Sequence, residues 1–188
     1  MAVRVIFLDR DGVINRSPGE GMYVASQRQF RFLPNAKRAI RALSDAGFAV
    51  AIVSNQSGVS RGVMTRAALD ELTRWMVEEI RLAGGVVAAV RYCVHRDEDH
   101  CACRKPKAGL LQAAARGLLV DWEGSFLIGD AKIDIEAGRR AGCRTVLVLS
   151  GRTQASEIGA WRQPPDQVAK DLWDAARMIL HEDADHHR

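Results

Sequence analysis

Short apolar runs alternate along this chain with stretches of helical periodicity. Residues 3–8 are apolar on both faces, as a strand buried inside a parallel sheet must be. An irregular segment over 12–34 follows, then an amphipathic helix over 35–46 that Gly47 stops. Further strands are predicted at 48–53, 87–93, 126–128 and 145–149. Helices are predicted from an N-cap at Thr65 to near Gly84, then over 107–118, 134–141 and 171–182. Residues 94–106 and 150–166 read as loops, and 183–188 as a frayed tail in which His186-His187 is read as disordered rather than metal-binding. Strand and helix in alternation predict an α/β fold, a three-layer, Rossmann-like, doubly wound parallel sheet. No repeat or linker interrupts the 188 residues, so one domain is expected over 1–188.

Polar groups sit where three strands end: Asp9 and Asp11 after the first, Ser54-Asn55 after the second, Gly129-Asp130 after the fourth. Open α/β sheets bind ligands beyond the carboxyl ends of their strands, so these clusters predict a site. Asp9 and Asp11 are two residues apart, which in extended geometry puts both carboxylates on one side and turns Arg10 away. Two close carboxylates repel unless they share a cation or a proton. Mg²⁺ suits them because it takes oxygen ligands and keeps room for water and phosphate. Alone, an Asp-x-Asp-Gly run is also compatible with a plain acidic turn.

Composition narrows the function classes. Basic residues exceed acidic ones by 27 to 23, with no basic run of five, which suits an anionic small molecule better than a nucleic acid. Aromatic residues make up only 6%, too few for a stacking platform, so a nucleic-acid-binding protein or a DNA 3′-phosphatase is the lesser reading. No apolar run approaches the ~20 residues that cross a bilayer. The N-terminal run is too short for a signal peptide, and a cytoplasmic protein, monomeric by default, is expected.

Three of the four cysteines, with one histidine, form the pattern Cys93-x-His95-x5-Cys101-x-Cys103 in the polar loop. Three thiolates and an imidazole match a closed tetrahedral Zn²⁺ site. His100 is crowded by its neighbour Cys101, and Cys143 precedes an apolar strand and reads as core. The cluster runs directly into Arg104-Lys105, so a structural zinc there would fix two cations over an anionic ligand.

These motifs together resemble the haloacid dehalogenase-like phosphatases. Leu8-Asp9-Arg10-Asp11-Gly12-Val13-Ile14-Asn15 is similar to their first motif, Ser54-Asn55-Gln56 to the second, Lys105 to the third, and Gly129-Asp130 with Asp134 to the fourth. The resemblance implies that Asp9 attacks phosphorus and that Asp11 is the acid and base. It implies that Asp9, the Asp11 carbonyl and Asp130 hold Mg²⁺, and that Ser54, Asn55, Gln56 and Lys105 hold the phosphoryl group. Asp134 is implied to orient Lys105 or waters rather than to contact the metal. The fold it implies is HAD-like without a large cap domain.

The zinc loop ending in Cys-Arg-Lys-Pro narrows the resemblance to the heptose bisphosphate phosphatases and their relatives, the histidinol-phosphate phosphatases. The five-residue spacing and Arg104-Lys105-Pro106-Lys107 fit the histidinol branch. The run from Asn55 to Gly62 and Gly21-Met22-Tyr23-Val24 fit the heptose branch, which is favoured. A phosphorylated sugar is the implied substrate, with Arg61 and Arg104 as further contacts. Ala131 stands where relatives often carry a basic residue after Asp130, which leaves any phosphate role of Lys132 open.

Overall fold

A computed structural model describes residues 2–186. Six parallel strands form one sheet in the order β3-β2-β1-β4-β5-β6. They are β1 (Val5–Leu8), β2 (Ala49–Asn55), β3 (Ala89–Cys93), β4 (Phe126–Gly129), β5 (Arg144–Val148) and β6 (Gln167–Ala169). This is the strand order of doubly wound folds, and the chain reverses direction across the sheet between β1 and β4. Helices α1 (Ala36–Asp45), α2 (Arg66–Leu82) and α5 (Leu172–His186) close over one face, with Ile40, Met76 and Ile179 in one apolar layer. Helices α3 (Gly109–Ala114) and α4 (Lys132–Ala141) cover the other, where Phe7, Val53, Leu111 and Ala137 meet.

β1 buries all its side chains, each worth about 1.5–3 kcal/mol relative to exposure. That explains the absence of alternation in its sequence. Register then fixes the site: Leu8 lies beside Ile52 and Ile128, so Asp9 and Asp130, just beyond β1 and β4, converge with Ser54 and Asn55, the last two residues of β2. The Thr65 hydroxyl accepts from the Ala68 N–H at 3.1 Å and starts α2 where its sequence predicts. Among the described residues no domain is inserted between β1 and α1; residues 9–35 fold as an irregular segment whose Val13, Ile14, Val24 and Phe30 join the layer under α1, α2 and α5.

Several boundaries differ from expectation. The helix predicted over 107–118 shrinks to α3. Lys107 is drawn into the preceding loop, where its Nζ donates to the carbonyls of His100 and Cys101, and Gly117 turns the chain out at a φ of 86°. β6 is absent from the pattern because it has only three residues, just past Pro164-Pro165. α5 continues through the segment expected to fray, since Asp183 pairs with Arg4 and Glu182 pairs with Arg144 at 2.7 Å. His187 lies outside the described residues, as does the side chain of His186.

Candidate active site and the cysteine-histidine cluster

The strand ends enclose a cavity of about 470 Å³ whose lining includes Asp9, Asp11, Ser54, Asn55, Lys105 and Asp130. Six residues from four chain segments, up to 121 positions apart, thus share one floor at the reversal point of the sheet.

Lys105 organises that floor. Its Nζ donates to Asp9 Oδ1 at 2.6 Å and to the Val53 carbonyl at 2.9 Å, and pairs with Asp134 Oδ1 at 2.6 Å. Burial alone would push its pKa down, but Asp134 and Asp9 outweigh that and hold it above the ordinary lysine value. Asp134 is thus a direct partner of Lys105. The backbone beneath is clamped by Asn55, whose Nδ2 donates to the Lys105 carbonyl and whose Oδ1 accepts the Lys105 N–H, both at 3.1 Å. This two-way pairing fixes the amide orientation of Asn55.

Asp9 and Asp130 follow adjacent strands. Burial raises the pKa of Asp9, helped by Asp134 and Asp11 and opposed by Lys105. Burial, then Asp9 and Asp134, push Asp130 up to about 8, although the Arg152 N–H donates to its Oδ2 at 2.9 Å. A buried pair of repelling carboxylates is a donor set that an oxygen-liganded divalent cation fits. The Asp130 carboxylate lies in a slot between two glycines: a Cβ on either Gly12 or Gly151 would overlap its Oδ2. Gly12 also needs its glycine freedom, at a φ of 88°.

Asp11 is surrounded differently from what extended geometry predicts. Arg10 is not turned away; its guanidinium is fully buried and folds back onto Asp11, with Nη2 donating to Oδ2 at 2.9 Å and Nε to Oδ1 at 3.3 Å. The chain leaves the strand conformation at once, because the N–H groups of Ile14 and Asn15 turn back onto the Arg10 carbonyl. Asn15 Nδ2 donates to Asp11 Oδ1, and Gln56 Nε2 to Asp11 Oδ2, both at 2.8 Å. Gln56 was expected in the substrate site; it is wholly buried and outside the cavity lining, behind Asp11.

The cavity rim carries Arg61, Arg104 and Arg152, with Glu20 and Tyr23 opposite the strand ends. Arg104 is tied by Asp97, Nε to Oδ1 at 2.5 Å, and by the His95 carbonyl at 3.1 Å. Tyr23 shares a 3.0 Å hydrogen bond with Ser57, which anchors the irregular segment beside β2. Lys132 does not line this cavity; it faces a neighbouring cleft with Arg139, Arg140 and Arg162. Sequence reasoning missed Arg152, Tyr23 as a lining group, and the partners of Asp11. Only the Gly-Arg that follows β5 signals Arg152, since it lies at another strand end.

Cys93, His95, Cys101 and Cys103 come together as their spacing predicts, with all four ligand atoms within 4.8 Å of one another. Sulfur–sulfur separations are 3.6 Å for Cys93–Cys101, 3.2 Å for Cys93–Cys103 and 3.5 Å for Cys101–Cys103. A tetrahedral zinc with ~2.3 Å bonds has edges of about 3.8 Å, so small outward shifts accommodate the ion. Burial pushes the Cys93 thiol up to about 12. At Cys101 burial also pushes upward, but the Arg104 N–H and the other thiols outweigh it and bring that thiol down to about 7. The cluster is stitched to the cavity on two sides. The Gln56 N–H donates to the Cys93 carbonyl at 2.7 Å, and Arg96 Nε to the Ser60 carbonyl at 3.1 Å. His100 is outside the ligand set, and Cys143 is buried in the α3–α4 layer.

Known proteins match both fold and sequence. The HAD-hydrolase-like family model matches residues 102–175. The D-glycero-beta-D-manno-heptose-1,7-bisphosphate 7-phosphatase of Pseudomonas aeruginosa is 38% identical over 81% of this chain and 84% of its own length. The Bordetella bronchiseptica protein of the same name is 34% identical over 96% of this chain and 99% of its own. A crystal structure of the B. bronchiseptica D,D-heptose 1,7-bisphosphate phosphatase, complexed with magnesium and phosphate, superposes with a TM-score of 0.88 at 35% identity, covering 96% of this chain and 99% of that one. Joined to a carboxylate floor on a doubly wound sheet, these likenesses carry a conclusion about kind: the chain belongs to the heptose bisphosphate phosphatase family of HAD-like enzymes, and is a phosphoric monoester hydrolase.

Proposed function

We propose that this enzyme removes the 7-phosphate of D-glycero-D-manno-heptose 1,7-bisphosphate with the help of Mg²⁺. The observation that carries the reading is Lys105, buried and charged between Asp9 and Asp134 on a floor that also holds Ser54, Asn55 and Asp130. Asp9, the Asp11 carbonyl and Asp130 would hold the magnesium ion, which when bound supplies positive charge against the phosphoryl oxygens.

The chain's own groups divide the remaining work. Ser54 and Asn55 orient the phosphoryl group, and Lys105 offsets the charge that builds on it in the transition state. Asp9 attacks phosphorus: its carboxylate oxygen bonds to the phosphorus as the bond to the sugar oxygen breaks, giving an aspartyl-phosphate. Asp11 gives its proton to the departing sugar oxygen. It then takes a proton from water, whose oxygen displaces Asp9 and releases inorganic phosphate. A structural Zn²⁺ in the Cys93–His95–Cys101–Cys103 cluster would brace the loop that presents Arg104 and Lys105.

Three rim arginines favour a substrate with a second phosphate, because such a substrate needs cations beyond those on the floor. Histidinol phosphate, the alternative, brings a cationic amine toward that rim. The cysteine cluster, which needs reduced thiols, fits a cytoplasmic enzyme. The test is phosphate release, with and without Mg²⁺, from both heptose bisphosphate anomers and from histidinol phosphate. Metal-dependent release with kcat/KM highest for a heptose bisphosphate is expected. A higher kcat/KM for histidinol phosphate overturns the substrate, and turnover by Asp9→Asn overturns the nucleophile.

A further inference from the structure

Gln56 lies outside the cavity, yet it is the residue behind the proposed acid–base carboxylate. Its Nε2 sits 2.8 Å from Asp11 Oδ2 and 3.2 Å from Ser54 Oγ, so one NH₂ group spans the acid–base residue and a phosphoryl-binding hydroxyl. The amide orientation follows from chemistry: Asp11 Oδ2 is an acceptor, already facing the Arg10 Nη2 donor, so the NH₂ group of Gln56 rather than its carbonyl is turned toward it. The rest of the side chain has little to gain from its position. It is wholly buried, and its Oε1 has no hydrogen-bond partner among the described residues. A buried amide left half-paired is destabilising, so an apolar residue of the same size would pack there more favourably. Asn15 repeats the pattern on the other oxygen: Nδ2 donates to Asp11 Oδ1 at 2.8 Å while its buried Oδ1 has no partner among the described residues. Two amides thus spend one donor each on a single carboxylate, from opposite sides, and Arg10 closes the third.

We infer that Gln56, supported by Asn15, is a positioning residue that aims Asp11 at the departing oxygen. It does not touch substrate. Its backbone N–H bonds the Cys93 carbonyl, so the same residue ties the aim of Asp11 to the root of the cysteine loop. This inference rests on the assignment of Asp11 as acid and base.

The test separates protonation of the leaving group from every other contribution. In Gln56→Leu the volume stays and the donor goes. With a sugar phosphate, whose alkoxide leaving group needs a proton, kcat/KM should fall about 100-fold, within the range general acid catalysis supplies. With 4-nitrophenyl phosphate, whose leaving group departs unprotonated, kcat/KM should fall no more than about 3-fold. In the same reaction kcat should drop, with a burst of nitrophenol, because Asp11 must still activate water in the second step. Equal losses of kcat/KM on both substrates would mean a role in binding or folding and overturn the inference, as would wild-type kinetics on both. Melting temperature and bound zinc report the fold; if Gln56→Leu does not fold, Gln56→Asn, which withdraws the donor by one methylene, is read against the same outcomes. Failure of the underlying assignment looks different. In that case Asp11→Asn itself would retain kcat/KM on the sugar phosphate.

Discussion

Removal of Asp11 should unfold this protein more readily than removal of Asp9, although both substitutions should stop turnover. Arg10 is fully buried, and Asp11 is its only carboxylate partner among the described residues. A guanidinium stays charged when it loses its partner, and Tyr92, with its ring 5.9 Å away, offers only a weak substitute. Deleting one member of a buried ion pair costs about 3–5 kcal/mol. The Asp11 side chain is 17% exposed, so water replaces part of what is lost and the lower figure, about 3 kcal/mol, is expected. For a chain of this size that is a fall in Tm of about 6–12 °C. Asp9→Asn behaves in the opposite way. Lys105 keeps Asp134 at 2.6 Å, and the cost of burying the Asp9 charge disappears, so its Tm should match or exceed that of the wild type. Thermal melts followed by circular dichroism, in magnesium-free buffer without chelator, make the comparison. Arg10→Met combined with Asp11→Ala should recover at least half of the loss, because the stranded charge goes too. An Asp11→Ala melt within about 2 °C of wild type would refute the argument.

Three further outcomes follow from the same geometry. Asn55→Asp places a carboxylate oxygen against the Lys105 carbonyl; a cost of about 1–3 kcal/mol in holding Lys105 should lower kcat/KM about 10- to 100-fold, and wild-type kinetics would show the clamp to be idle. Cys101→Ala should remove zinc, measured by elemental analysis, together with most activity; full turnover without zinc would separate the cluster from Lys105. Burial with Asp9 and Asp134 alongside pushes Asp130 up to about 8 in the metal-free protein, so Mg²⁺ binding below that pH should release protons and tighten as pH rises; calorimetric enthalpies identical in buffers of different ionisation heat would contradict this.

Much of this molecule was legible before any coordinates. Apolar runs marked β1, β2, β4 and β5 because buried parallel strands carry no polar face, and the residues just past their ends then had to converge. The cysteine spacing foretold a four-ligand cluster. What could not be read were features set by the return path of the chain. Arg10 was expected to follow strand alternation past Leu8, but the turn closed by the Ile14 and Asn15 N–H groups breaks that alternation and folds it inward. Gln56 looked like part of a substrate motif because proximity in sequence does not distinguish the front of a strand end from its back. β6 was too short for a period, and Arg152 enters the rim only because β5 lies next to β4.

The glycine slot around Asp130 bears on how an enzyme of this kind could diversify. Any side chain at Gly12 or Gly151 meets the Asp130 carboxylate, so those positions are closed to mutational drift whatever the substrate. The rim is under no such restriction: Glu20, Arg61 and Arg152 project from loops, outside the sheet. Variation is thereby partitioned by the backbone itself. A library aimed at new phosphate esters should spend its diversity on those loop residues, where changes can accumulate while the bond-breaking apparatus is inherited intact.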